Sequence, residues 1–265
     1  MRTLMLLLAT LVLAASTAQA RVVGEEVSYT ADGVTMKGYL AYDRNIKGQH
    51  PGVLVVHEWW GHNDYARKRA LMLAGMGYTA LAVDMYGDGK TADHPDDAGK
   101  FAAEVSKNMP AARARFEAAM KLLARHRTVA PGQIAAIGYC FGGGVVLNMA
   151  RAGVDLKGVA SFHGSLPAVT PAEKGKVKAK IAVFTGADDP MAPKAQVDAF
   201  AQEMDAAGVE YRLVSYPGVK HSFSNPDADE YGKKFKLPLA YDSEADQDSW
   251  KQLDEFLVEL FGPRQ

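Results

Sequence analysis

The residue best suited to covalent chemistry in this 265-residue chain is Cys140, its only cysteine. It sits in Gly138-Tyr139-Cys140-Phe141-Gly142, after the apolar run Ile134–Ile137 and before an apolar helical pattern over Val145–Ala150. A strand, a tight glycine-bounded turn and a helix together make the setting of a nucleophile elbow. There the sulfur meets the free N–H groups and positive dipole end of the helix, which favour a thiolate and an oxyanion. A free cysteine is more often a small buried hydrophobe, and a G-x-C-x-G pentapeptide alone is weak. The rest of the chain must supply its partners.

A thiol nucleophile needs a base, and the base needs an acceptor to hold its tautomer. Downstream lie Gly186-Ala-Asp-Asp-Pro-Met-Ala-Pro193 and Gly218-Val-Lys-His-Ser-Phe223, which offer Asp189 or Asp188 as the acceptor and His221 as the base. Taken singly, these are a turn-capping Asp and a surface His. In the order nucleophile, acid, histidine they follow the pattern of α/β-hydrolases. The chemistry would be attack on a carbonyl carbon through an acyl-cysteine.

Another cluster, His57-Glu58-Trp59-Trp60-Gly61-His62, superficially suggests zinc. The two histidines are five residues apart rather than four, and they follow a strand instead of lying within a helix. No metal and no cofactor are expected.

These residues need a frame. Val22–Thr30 and Val34–Tyr42 flank an Asp32-Gly33 turn and predict an antiparallel hairpin. Strands are predicted at 51–57, 78–84, 134–137, 156–162, 179–185 and 211–216. Helices are predicted at 64–76, 98–127 with a break at Asn108-Met109-Pro110, 193–208 and 243–261. Strands alternating with helices argue one domain with a mostly parallel sheet covered on both faces. Ligands of such sheets bind beyond the carboxyl ends of the strands, where the Glu58, Cys140, Asp189 and His221 stretches fall.

With 30 basic and 31 acidic residues, the chain has no charge field for nucleic acid, and its 48% hydrophobic content suffices for a large core. Met1-Arg2-Thr3, the apolar run Leu4–Ala15 and Ala18-Gln19-Ala20 form a signal-peptide pattern with cleavage expected after Ala20. Residues 21–265 would then be the mature domain, exported to an oxidising space such as a bacterial periplasm, without stable membrane insertion and as a monomer. A lone thiol retained there makes most sense if it works.

The matching pieces are His57-Glu58-Trp-Trp-Gly61, Asp84-Met-Tyr86, Gly138-Tyr-Cys140-Phe-Gly-Gly143, Gly186-x-x-Asp189 with Pro193, His221-Ser-Phe223, and Ala240-Tyr-Asp with Ala245 and Trp250. On these the chain resembles the dienelactone hydrolase family of α/β-hydrolases over nearly its whole mature length. The resemblance implies a Cys140–His221–Asp189 triad acting on a small ester or lactone. It also implies an oxyanion hole from the N–H groups of Phe141 and Trp59, and Glu58 beside the thiol. A carboxylate there would raise the thiol pKa and keep it quiescent until substrate arrives.

The two arginines with which family members hold a substrate carboxylate are missing. Gly87-Asp88 follows Tyr86, and Asn225 stands four residues after His221. Asp88 would repel an anion, so dienelactone itself is disfavoured. Trp59, Trp60, Tyr86, Phe223 and Asn225 are candidates for a more apolar mouth, with ordinary packing as the alternative for the aromatics. His163 points toward the same end and reads as a structural histidine before a substrate contact. A thioesterase, a peptidase, or a non-catalytic binder on the same scaffold are the competing functions.

Overall fold

A computed structural model describes residues 22–263. The expected signal peptide lies outside the described residues. Strands β1 (Val22–Ala31) and β2 (Val34–Asp43) form the expected hairpin. Its turn residues Asp32 and Gly33 have φ of +48° and +76°, the twist a two-residue hairpin needs.

The remaining elements alternate: β3 (His50–Val56), α1 (Asp64–Gly75), β4 (Thr79–Val83), α2 (Pro95–Lys107), α3 (Met109–Ala124), β5 (Val129–Tyr139) and α4 (Phe141–Arg151). Then follow β6 (Gly158–Phe162), β7 (Lys180–Gly186), α5 (Lys194–Ala207), β8 (Tyr211–Tyr216), α6 (Ala228–Phe235) and α7 (Ser243–Phe261). One eight-stranded sheet runs β1-β2-β4-β3-β5-β6-β7-β8. The pairings of β2 are antiparallel, and every pairing from β4 to β8 is parallel. This is the α/β-hydrolase architecture expected.

Alternation in the strands divides the core. Leu54, Val56, Leu81 and Val83 pack on one face against Phe116 and Leu123 of α3, Val146 and Met149 of α4, and Phe200 of α5. Val53, Val55, Ala80 and Ala82 face the other way, onto Leu73 of α1 and Leu253 and Leu257 of α7. Each such Leu, Val or Phe contributes about 1.5–3 kcal/mol when fully buried. No helix among the described residues is long and apolar enough to cross a membrane.

Two local outcomes depart from expectation. Strand β5 starts at Val129 and carries Pro131-Gly132 within it, because the register jumps from His50↔Val129 to Gly52↔Ile134 and the extra residues bulge out. Helix α6 forms in a stretch for which no element is predicted. Ala228, Tyr231, Gly232 and Phe235 make a stripe at helical spacing that packs on Trp60, a short signal among charged residues that the sequence reading passed over.

The β5–α4 junction is packed too tightly for side chains. A Cβ on Gly138 would lie 2.1 Å from the Gly142 carbonyl oxygen, and one on Gly142 would lie 2.3 Å from that of Val56. Both obstacles are backbone, so neither can yield cheaply. Gly142→Ala is therefore expected to cost about 2–3 kcal/mol in urea unfolding, despite alanine's better helix propensity. A loss below about 0.5 kcal/mol would contradict this packing.

Three histidines are buried and uncharged. Burial lowers the pKa of His57, lowers that of His163 strongly, and carries His62 down to about 3. Neither ring nitrogen of His62 has a hydrogen-bond partner. Unfolding frees it to take a proton below its ordinary 6.5, so its cost is absent above that pH and grows as pH falls toward about 3. His62→Leu should reduce the slope of unfolding free energy against pH by about 1.4 kcal/mol per unit between pH 5.5 and 4. An unchanged slope would show that His62 is protonated in the folded state.

Candidate active site

Cys140 lies at the turn from β5 into α4 with φ +51° and ψ −114°, a conformation rarely adopted by residues with a Cβ. Its N–H donates to the Phe162 carbonyl at 3.0 Å, tying the turn to the end of β6. Bent this way, the partly exposed thiol projects beyond the carboxyl end of the sheet.

His221 follows β8 after the Pro217-Gly218 turn. Its Nδ1 donates to Oδ2 of Asp189 at 2.7 Å, and both side chains are nearly inaccessible. The other carboxylate oxygen, Oδ1, accepts the Met191 N–H at 2.8 Å, which fixes the Asp189 rotamer. Asp188 is exposed, so Asp189 is the acidic residue that meets the imidazole.

The buried His221 Nε2 makes no aligned hydrogen bond and is turned to Cys140. Burial opposes a charge on this ring. The sulfur of Cys140 and the Asp189 carboxylate outweigh it and raise His221 to about 10. The imidazole is built to take a proton beside the sulfur and to hold it.

The loop carrying His221 is clamped from several sides. Ser222, strained at φ +59°, donates from Oγ to Glu58 Oε1 at 3.1 Å. Asn225 Nδ2 donates to Glu58 Oε2 at 2.6 Å, while its Oδ1 accepts the Asp227 N–H. Ser224 Oγ bridges Tyr65 Oη and His163 Nε2, each at 2.7 Å. Buried Arg69 donates to the Ser224 carbonyl at 2.6 Å and to Asp246.

The hydrogen bonds of Glu58 therefore go to Ser222 and Asn225. Burial pushes its carboxyl above the usual range, although Asn225, His221, Ser222 and Arg69 favour its charged form. Asn225 has left the substrate mouth to hold this carboxylate, and it is buried.

The other mouth candidates also turn inward. Trp60 stacks on Tyr231 and Phe235, and Phe223 packs against His163 and Tyr216. Tyr86 donates its hydroxyl to the Trp59 carbonyl at 2.9 Å and packs on His57 and Phe141. His163, at φ +38°, is wholly buried with its ring edge-on to His221. Asp88 is exposed and lines no part of the cleft. These residues support the site from behind because each satisfies its polar atoms or its ring inside the fold.

His57 and His62 do not converge on a metal. His57 Nε2 accepts the Met85 N–H at 3.2 Å, so its Nδ1 carries the proton donated to the Glu58 carbonyl at 2.6 Å. The Met85 bond joins the end of β3 to that of β4, and the Glu58 bond is local to the loop after β3.

The cleft above Cys140 encloses about 230 Å³ and is lined by Trp59, Ala102, Phe141, Ser165, Met191 and Leu239, with His221. Among the described hydrogen bonds, neither the Trp59 nor the Phe141 N–H has an acceptor. Both residues border the sulfur, and Phe141 opens α4, so its N–H has no intrahelical partner. Sequence reasoning did not find Ala102, Ser165, Met191 or Leu239. Met191 carried a weak signal in its closeness to Asp189, and the others carried none.

A model of the dienelactone hydrolase family matches residues 36–261. The protein usf of Aquifex pyrophilus is 30% identical over 240 residues, covering 89% of this chain and 98% of its own. A candidate carboxymethylenebutenolidase of Aquifex aeolicus is 29% identical over 206 residues, covering 76% and 87%. A dienelactone hydrolase-like promiscuous phosphotriesterase from metagenomic libraries superposes with a TM-score of 0.86 at 32% identity, over 91% of this chain and 99% of its own. The chain belongs to the dienelactone hydrolase family and is an ester or lactone hydrolase.

Proposed function

We propose that the chain is an exported hydrolase of small uncharged esters and lactones, acting through Cys140, His221 and Asp189 with an acyl-cysteine intermediate. One observation carries this reading: the 2.7 Å bond from His221 Nδ1 to Asp189, which leaves Nε2 turned to the one cysteine at a strand-to-helix turn. The signal-peptide pattern of residues 1–20 supports export.

His221 Nε2 holds the proton it has taken from the thiol, and the thiolate adds to the substrate carbonyl carbon. The negative oxygen is received by the N–H groups of Phe141 and Trp59, where one such donor is typically worth about a hundredfold or more in rate. His221 returns the proton to the leaving alkoxide as the C–O bond breaks. It then draws a proton from water, whose oxygen attacks the thioester, and the acid departs as the thiol re-forms. Asp189 keeps Nδ1 protonated throughout and supports the imidazolium.

The substrate is uncharged because no Lys or Arg lines the cleft. The charge of His221, which borders the cleft, is already matched by Asp189, so a substrate carboxylate stripped of water there would find no unpaired counter-ion.

Cys140→Ala should lose ester turnover by at least about a thousandfold, and Asp189→Asn should lower kcat by about a hundredfold or more with KM little changed. Steady-state rates on p-nitrophenyl acetate check both, and Cys140→Ala within tenfold of wild type would end the triad reading. In a lactone bearing a carboxylate, methylation of that group should raise kcat/KM by about tenfold or more. Preference for the free acid would contradict an uncharged substrate.

A further inference from the structure

Resting on the triad reading, we infer that the cleft is two subsites of separate specificity: Phe141 and Ala102 receive the acyl group, and Leu239 and Met191 receive the alcohol. The division follows from where the proton must go. The leaving oxygen takes its proton from His221 Nε2, so the alcohol lies along the wall that carries His221.

That wall is identifiable. Leu239 pairs with His221 in a parallel β-bridge, and the neighbouring Ala240 N–H donates to the His221 carbonyl at 3.1 Å. Met191 follows Asp189, whose Oδ1 holds its N–H at 2.8 Å. Both side chains that reach the cleft from the Asp–His side are thus apolar. Met191 is 41% exposed, so this subsite opens to solvent and an alcohol can project outward.

The opposite wall belongs to the elbow side. Phe141 is the first residue of α4, and its ring lies 5.5 Å from that of Tyr86. Tyr86 lies 5.5 Å from Phe101, the residue before Ala102 on α2. This chain of rings sets α2 across the end of the subsite away from His221. Ala102 is the small side chain that leaves room there. The cleft, about 230 Å³, is smaller than the roughly 300–1,000 Å³ that holds drug-sized ligands. Acyl length is therefore restricted by α2, and the alcohol is restricted much less. A lactone, whose acyl and alcohol ends are joined, bridges the two walls.

Ala102 and Met191 line the proposed subsites, so each substitution is read as a ratio of kcat/KM between two substrates of the same variant, which cancels any change common to both. Two substrate series separate the subsites: p-nitrophenyl acetate against hexanoate, and ethyl against benzyl acetate followed by proton release. Ala102→Leu should lower the hexanoate-to-acetate ratio of kcat/KM by about tenfold and leave the benzyl-to-ethyl ratio within about twofold. Met191→Ala should do the reverse, lowering the benzyl-to-ethyl ratio about threefold with the acyl ratio unmoved. Both variants shifting the same series, each shifting the other's series, or neither shifting any would overturn the division. Cys140→Ala in the same assays separates the two levels. If it retains turnover, the triad reading falls and takes the subsites with it. If it is inactive and the ratios do not divide, only the subsites fall.

Discussion

The structure depends on holding one non-glycine residue, Cys140, at a backbone angle that its Cβ resists. Such conformations cost about 1–3 kcal/mol and persist only where the surroundings over-determine them. Here Gly138 and Gly142 let backbones approach to distances no side chain would allow, and the Cys140 N–H is fixed to the end of β6. Strands β3, β5 and β6 meet at this point, and their parallel register delivers Glu58, Cys140 and His163 to one end of the sheet. The strain serves the chemistry, because a relaxed turn would lay the thiol against the helix instead of raising it into the cleft.

A second constraint acts on the base. His221 lies on a loop, and a loop alone would not hold an imaged proton path to within a fraction of an ångström. The fold compensates with buried polar groups on both sides of it. Glu58, Ser222 and Asn225 form one set. Arg69, Asp246, Tyr65, Ser224 and His163 form the other. Arg69 also lies over the rings of Tyr65, Tyr139 and Trp250, so α1, β5 and α7 are fastened around the loop by one guanidinium. A buried ion pair of this kind adds little net stability but costs about 3–5 kcal/mol to break, which suits a device that specifies one arrangement.

The parts of this protein governed by short-range rules were readable from sequence. The Asp32-Gly33 hairpin, the break at Asn108 and the strand-turn-helix around Cys140 each follow from residues within a few positions of one another. The mostly parallel sheet and its two-sided burial follow from the alternation of apolar strands with helices, and the order in which the strands lie does not. Residue type alone left Asp188 and Asp189 open and the spacing shared with the family favoured Asp189, which is the one the structure buries against His221. The cleft walls were not legible, since Ala102 and Leu239 are ordinary residue types brought together from distant segments. The aromatic candidates Trp60, Tyr86 and Phe223 misled for the opposite reason. Large rings are as useful for packing as for binding, and here the backbone turns them inward. The hydrogen bonds that hold Glu58 were not legible either, since Asn225, standing where an arginine was missing, reaches it from the histidine loop.

The central claim is that the sulfur at this strained turn becomes covalently acylated during turnover. Rapid acid quench with p-nitrophenyl hexanoate, followed by proteolysis and mass spectrometry, tests it most directly. The account predicts a hexanoyl mass increment on the peptide containing Cys140 that disappears as substrate is exhausted. Multiple turnovers with no acyl group on that peptide at any time, or with the group on another residue, would contradict it.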